Sequence, residues 1–118
     1  MDAVMDVERR LGRVPRDVSK EHRGYDVESM REDGSLLMIE VKGRTEGAET
    51  VTITKSEIGV GRNKPDDFVL ALVEVPENGK PTVRYVRRPF EGAGELPFGA
   101  VSVTFAWKQL IKMSEEPA

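Results

Sequence analysis

The sequence predicts an α/β domain built on a mixed sheet flanked by helices, and three observations carry that prediction. The run "DFVLALVEV" (67–75) is almost continuously apolar, the pattern of a strand buried on both faces. Apolar residues at helical spacing open the chain, and a second helical stretch, "AWKQLIKM", closes it before a polar tail. Between them, several strand-like runs are joined by connections too short to separate two domains.

Taken in order, "DAVMDVERRLG" places Val4, Val7 and Leu11 on one helical stripe, with Gly12 as the stop. "VPRDVS" is extended, since Pro15 disfavours helix at Val14. "GYDVESMR" and "SLLMIEVKG" are strands joined by Glu32-Asp33-Gly34, and "TVTIT" is a β-branched strand after a Gly- and Glu-rich loop. "KSEIGVGRNKPD" is a helix weakened by Gly59 and Gly61 and ended at Lys64-Pro65. "DFVLALVEV" is the expected central strand, and the hairpin signal "ENGK" leads into "TVRYVRR". "PFEGAGELPFG" is loop and "AVSVTF" a further strand.

At 118 residues the chain is read as one domain, 1–118, long enough to bury roughly 65% of its unfolded surface. It reads equally well as a piece of a larger protein. No stretch has the roughly 18 consecutive apolar residues of a membrane span. Asp2 and Asp6 do not suit a secretory signal, so a cytoplasmic location is expected. With no cysteine and a single histidine, His22, any metal must be held by oxygen, which favours magnesium, manganese or calcium. The formal net charge of -3 argues against gripping nucleic acid by bulk charge. Positive charge is nevertheless uneven: Arg9, Arg10, Arg13, Arg16, Lys20 and Arg23 crowd the first quarter, and Arg84, Arg87 and Arg88 cluster late.

The hairpin holds the chemistry. A three-residue loop with Gly34 in the left-handed conformation pairs Arg31 with Ser35, Met30 with Leu36, Val27 with Ile39, and Asp26 with Glu40. That register gathers Tyr25, Val27, Leu37, Ile39 and Val41 on one apolar face and leaves Asp26, Glu28, Glu40 and Lys42 on the other. Like charges directly opposite one another are destabilising, so Asp26 against Glu40 calls for a cation between them. Magnesium fits, since it takes one or two carboxylates and completes its shell with water and phosphate. Lys42, one pleat on, is placed to reach a metal-bound water or a phosphate oxygen. The competing reading is that Lys42 neutralises the carboxylates at a solvated surface.

Asp26 followed by Glu40-Val41-Lys42 resembles the motif of the PD-(D/E)XK nuclease superfamily. More specifically, "RDVS....GYD", "IEVKGR", "TVTITKSEI" and "NKPDDFVLALVEV" resemble the NO VEIN C-terminal domain family, found at the ends of bacterial helicase-like proteins. The likeness covers most of residues 2–105. Asp26 follows Gly-Tyr and not the proline of the superfamily's name. The resemblance implies a restriction-endonuclease-like fold, with Mg2+ or Mn2+ bound by Asp26, Glu40 and the carbonyl of Val41. It further implies that Lys42 positions or activates the attacking water and that Glu8 on the first helix supports the metal or a second one. The implied function is metal-dependent cleavage of DNA, with a helicase-like domain as partner in the parent protein and no membrane. The alternative is a catalytically silent module of the same fold that binds nucleic acid or a partner domain. Glu57 fits the family's acidic position on the next helix, but the sequence explains it more simply as a capping box with Thr54. His22 has no identifiable partner, and Trp107 reads as core.

Overall fold

The computed structural model describes residues 1–118. Helix α1 (Asp2–Arg10) leads into strand β1 (Val14–Asp17), followed by β2 (Val27–Met30) and β3 (Leu36–Thr45). Strand β4 (Thr50–Thr54) runs directly into α2 (Lys55–Asn63), and β5 (Phe68–Val75), β6 (Thr82–Arg87), β7 (Ser102–Ala106) and α3 (Trp107–Met113) complete the chain. The main sheet has the order β1-β2-β3-β5-β6, in which only β3 and β5 are parallel. Parallel neighbours need a crossover, and β4 and α2 supply it. Strand β7 pairs with β4 in a separate two-stranded sheet.

Strand β5 lies between β3 and β6, and six consecutive residues, Phe68 to Val73, are buried. Its alternate side chains feed two cores. Val69, Ala71 and Val73 meet Val4 and Val7 of α1 together with Val27, Leu37, Ile39 and Tyr85. Phe68, Leu70 and Leu72 meet Val51, Ile53, Ile58, Phe90, Trp107 and Leu110 on the opposite face. The sheet is thus covered by α1 on one side and by α2, α3 and the β4-β7 ribbon on the other. Trp107 is buried, as expected, and donates from Nε1 to Glu74 at 3.1 Å. Leu11, expected on the buried stripe of α1, is exposed, because the helix ends at Arg10.

From Val27 to Met30 the hairpin register is the expected one, but the expected Asp26-Glu40 pair is not part of the ladder. The ladder pairs Val27 with Ile39, Glu28 with Met38 and Met30 with Leu36, while Gly34 has φ of 88° and donates to the Arg31 carbonyl at 3.0 Å. Asp26 lies one residue before the first ladder pair. Tyr25 also departs from expectation, packing against the α2-side core and not beside Val27. The residues before β2 are bends, with Gly24 at φ of 83°, so strand alternation does not extend back to position 25.

Gly61 marks the tightest seam between α2 and the sheet. A Cβ there would lie 2.7 Å from the Phe90 ring and 3.0 Å from Phe68. Its φ is not positive, so the constraint is steric and not conformational. Gly61→Ala is expected to lose about 1–2 kcal/mol in urea unfolding, overpacking exceeding the helix-propensity gain. An unchanged or higher midpoint would show that the rings move aside freely.

Candidate active site

Glu40 and Lys42 alternate with Ile39 and Val41 along β3, so the pleat sends the two pairs to opposite faces. Their ladder partners on β5, Leu70 and Leu72, belong to the α2-side core, which fixes Glu40 and Lys42 on that side. Asp26 arrives from the bend before β2. Its N–H donates to the Ile39 carbonyl at 2.9 Å, and its Oδ2 accepts the Val41 N–H at 2.9 Å. These two bonds hold the Asp26 carboxylate beside Glu40 even though the ladder has ended.

Helix α2 contributes a third carboxylate. The capping box is present: Thr54 Oγ1 accepts the Glu57 N–H at 3.2 Å, and Glu57 Oε1 accepts the Thr54 N–H at 2.8 Å. The same Oε1 lies 3.0 Å from Lys42 Nζ, which is also 3.3 Å from Glu40 Oε2. Capping therefore aims Glu57 at the site, and its structural and polar roles coincide. The capping box is legible in the sequence, but the contact with Lys42 depends on how α2 docks on β3.

Electrostatics separate the three carboxylates. Glu40 is only 3% exposed, and its burial, together with the neighbouring Glu57 and Asp26, pushes its carboxyl up to about 10. Burial also acts against ionised Glu57, but hydrogen bonds from Glu40, the Thr54 N–H and Lys42 outweigh it and bring it down to about 2. For Lys42 burial opposes the charge, and the ion pairs with Glu57 and Glu40 raise its pKa nonetheless. The protein alone thus keeps a proton on Glu40 and a negative charge on Glu57.

Asp26, Glu40 and Glu57 open on a cleft of about 250 Å³ that is also lined by His22, Arg23 and Ser56. No set of three or more acidic or histidine side chains is arranged as a metal cage. Two adjacent carboxylates facing an open cleft nevertheless match magnesium, which retains water and substrate oxygens. The donors that fit are Asp26 and Glu40. The N–H of Val41 is already engaged by Asp26, which ties the backbone at Val41 to this pair.

The structure does not bring Glu8 to the cleft. Helix α1 covers the opposite face of the sheet, where the Glu8 carboxylate is fully buried. Arg13 grips it through both oxygens at 2.7 and 2.8 Å, and the Tyr85 hydroxyl donates to it at 2.6 Å. Burial alone would raise the Glu8 pKa, but these donors hold it below the usual carboxylate value, while burial and the neighbouring Glu8 raise Tyr85. The Ser29 hydroxyl, also buried, acts on the same carboxylate without completing a hydrogen bond of good geometry.

The fold matches that of Hjc from Archaeoglobus fulgidus, a Holliday junction resolvase from an archaeal hyperthermophile, with a TM-score of 0.60. The match covers 98% of this chain and 95% of that one at 12% sequence identity. The restriction-endonuclease-like mixed sheet expected from sequence is therefore the fold observed. No curated protein sequence matches the chain. The profile of the family described as Protein NO VEIN, C-terminal, matches residues 1–86. That span is well over half of the 118 residues, and the chain belongs to the Protein NO VEIN, C-terminal, family.

Proposed function

We propose that this chain is a magnesium- or manganese-dependent nuclease domain that hydrolyses DNA phosphodiester bonds, working beside a helicase-like domain in its parent protein. One observation carries the reading: Asp26, Glu40 and Glu57 line one open cleft of a nuclease-like fold, and Lys42 pairs with Glu40 and Glu57. Asp26 and Glu40 would hold the metal, with the Val41 carbonyl as the third donor that the family resemblance implies. A bound divalent cation supplies Lewis-acid stabilisation of the charge developing on the phosphoryl group. Lys42 adds a fixed positive charge beside the attacking water or a phosphate oxygen. Glu57 orients Lys42, and Glu40, to hold the cation, would give up its proton to solvent. A silent module of the same fold is the second reading, favoured by the pairing of Lys42 with two carboxylates and by the net charge of -3.

Calorimetric titration of Mg2+ and Mn2+ into the wild type and Asp26→Ala, run beside plasmid cleavage, tests the proposal. Wild type should bind and cut, and Asp26→Ala should bind at least about tenfold more weakly, given the charge removed. A wild type that neither binds metal nor cuts DNA, even within its parent chain, would leave the silent module.

Proton release provides a further check. A carboxyl held near 10 is protonated at neutral pH, and cation binding must expel that proton. Metal affinity should therefore rise with pH. The binding enthalpy should vary with the ionisation enthalpy of the buffer, with a slope of about one proton. Identical enthalpies in phosphate and Tris would mean that the cation does not displace the Glu40 proton.

A further inference from the structure

Arg13 of the first arginine cluster and Arg84 and Arg87 of the second meet at the outer edge of β6, and the chain's own tail lies on them. After α3, residues 114–118 turn back along β6, and Glu115 forms a two-bond antiparallel bridge with Tyr85 at 2.9 and 3.0 Å. Arg87 pairs with Glu115 at 2.8 Å and also donates to the Ala118 carbonyl, as does Arg13. Arg84 donates to Ser114 Oγ and to the Ser114 carbonyl, and pairs with Glu116 at 3.1 Å. Beside this strap, Arg9, Arg10 and Lys80 line a cleft of about 780 Å³ together with Glu116 and Pro117. The basic edge is thus already occupied by an anionic peptide, held through two exposed ion pairs, one backbone bridge and arginine hydrogen bonds to Ser114 and Ala118.

We propose that this edge is a second polyanion-binding surface, taking the phosphate backbone of nucleic acid outside the catalytic cleft, with the Glu115-Glu116 tail as a displaceable occupant. Three features support this. The Glu115 and Glu116 side chains are 58% and 86% exposed in their ion pairs, and pairs that open to water contribute little. Phosphate oxygens offer arginine the same bidentate geometry as carboxylate, with more charge along a continuous strand. Arg9, Arg10 and Lys80 line the cleft beside the strap, and Arg84 and Arg87 reach the strap itself from β6, so local attraction survives a net charge of -3. The inference rests on the proposed function only in taking nucleic acid as the polyanion.

The test is anisotropy of a short fluorescent DNA duplex in EDTA, so that neither the metal nor cleavage enters. Glu115→Gln/Glu116→Gln should bind about tenfold more tightly than wild type, as the competing ion pairs are lost. The slope of log affinity against log salt should steepen by about two, one for each released arginine. Adding Arg84→Gln/Arg87→Gln should erase both changes. A control, Glu32→Gln/Glu77→Gln, removes the same charge at exposed positions that form no ion pair and should change affinity much less. Equal gains in the two glutamate pairs, or a gain that persists without the arginines, would reduce the effect to net charge and overturn the proposal. A tail effect in a protein that never cuts DNA would leave this surface standing and remove only the nuclease reading.

Discussion

Glu40→Ala and Lys42→Ala should each lower metal-dependent cleavage of plasmid DNA by at least about a hundredfold, the scale of losing one group that stabilises transition-state charge. They should part company in metal binding. Glu40→Ala removes a donor and weakens Mg2+ affinity, whereas Lys42→Ala removes a cation 3.3 Å from Glu40 and leaves affinity unchanged or tighter. Both variants should fold. The Glu57 carboxylate freed by Lys42→Ala still accepts the Thr54 N–H at 2.8 Å, so no anion is left without a partner. Glu40→Gln is the sharper control, since it reproduces the neutral, protonated Glu40 of the metal-free protein and cannot release a proton to a metal. Single-turnover cleavage in Mg2+ and Mn2+, calorimetry and thermal melts supply the three readouts. Wild-type activity that survives in both alanine variants would remove Glu40 and Lys42 from the chemistry.

The site was legible in the sequence where local geometry determines it. Glu32-Asp33-Gly34 specifies one turn and the turn specifies the register of Val27–Met30 against β3, while Asp26, just beyond that ladder, is held beside Glu40 by its bonds to Ile39 and Val41. The reading failed one residue further back, because Gly24 breaks the strand and Tyr25 swings to the other core. Glu57 was legible as a cap and illegible as a partner of Lys42, since the first is local and the second depends on docking of α2. Likewise "TVTIT" and "AVSVTF" each read as strands, but their pairing with one another spans about fifty residues and leaves the main sheet altogether. Glu8, expected to support the metal, lies away from the cleft on the opposite face of the sheet. It stands four residues after Val4 and one after Val7, on the buried stripe of α1, so helical periodicity alone places its carboxylate under the helix. What the sequence could not supply was Tyr85, seventy-seven residues away, as its donor.

Glu8→Ala should cost about 3–5 kcal/mol, a large share of the roughly 5–15 kcal/mol that holds a domain of this size together. The loss exceeds that of one hydrogen bond because the partners stay behind. Arg13, 15% exposed, keeps its charge without a counterion, and the buried Tyr85 hydroxyl loses its acceptor. Tyr85→Phe removes one donor and should cost about 1–2 kcal/mol. Replacing the charged pair together, as Glu8→Leu/Arg13→Met in the Tyr85→Phe background, should recover most of the stability, since no buried group is then stranded. The pH dependence has a definite sign. Glu8 is held below the usual glutamate value, so it contributes stability that is complete above that value and is lost as pH falls through the lower folded one. Wild type should therefore lose more stability on acidification than Glu8→Gln, in urea melts from neutral to acid pH. The same variant separates the two roles this carboxylate could have. If Glu8 only ties α1 to the sheet through Arg13 and Tyr85, Glu8→Gln is less stable but binds Mg2+ as wild type does. If it serves a metal, as the family resemblance implies, affinity falls while stability holds, and the placement of Glu8 on the far face of the sheet would have to be abandoned.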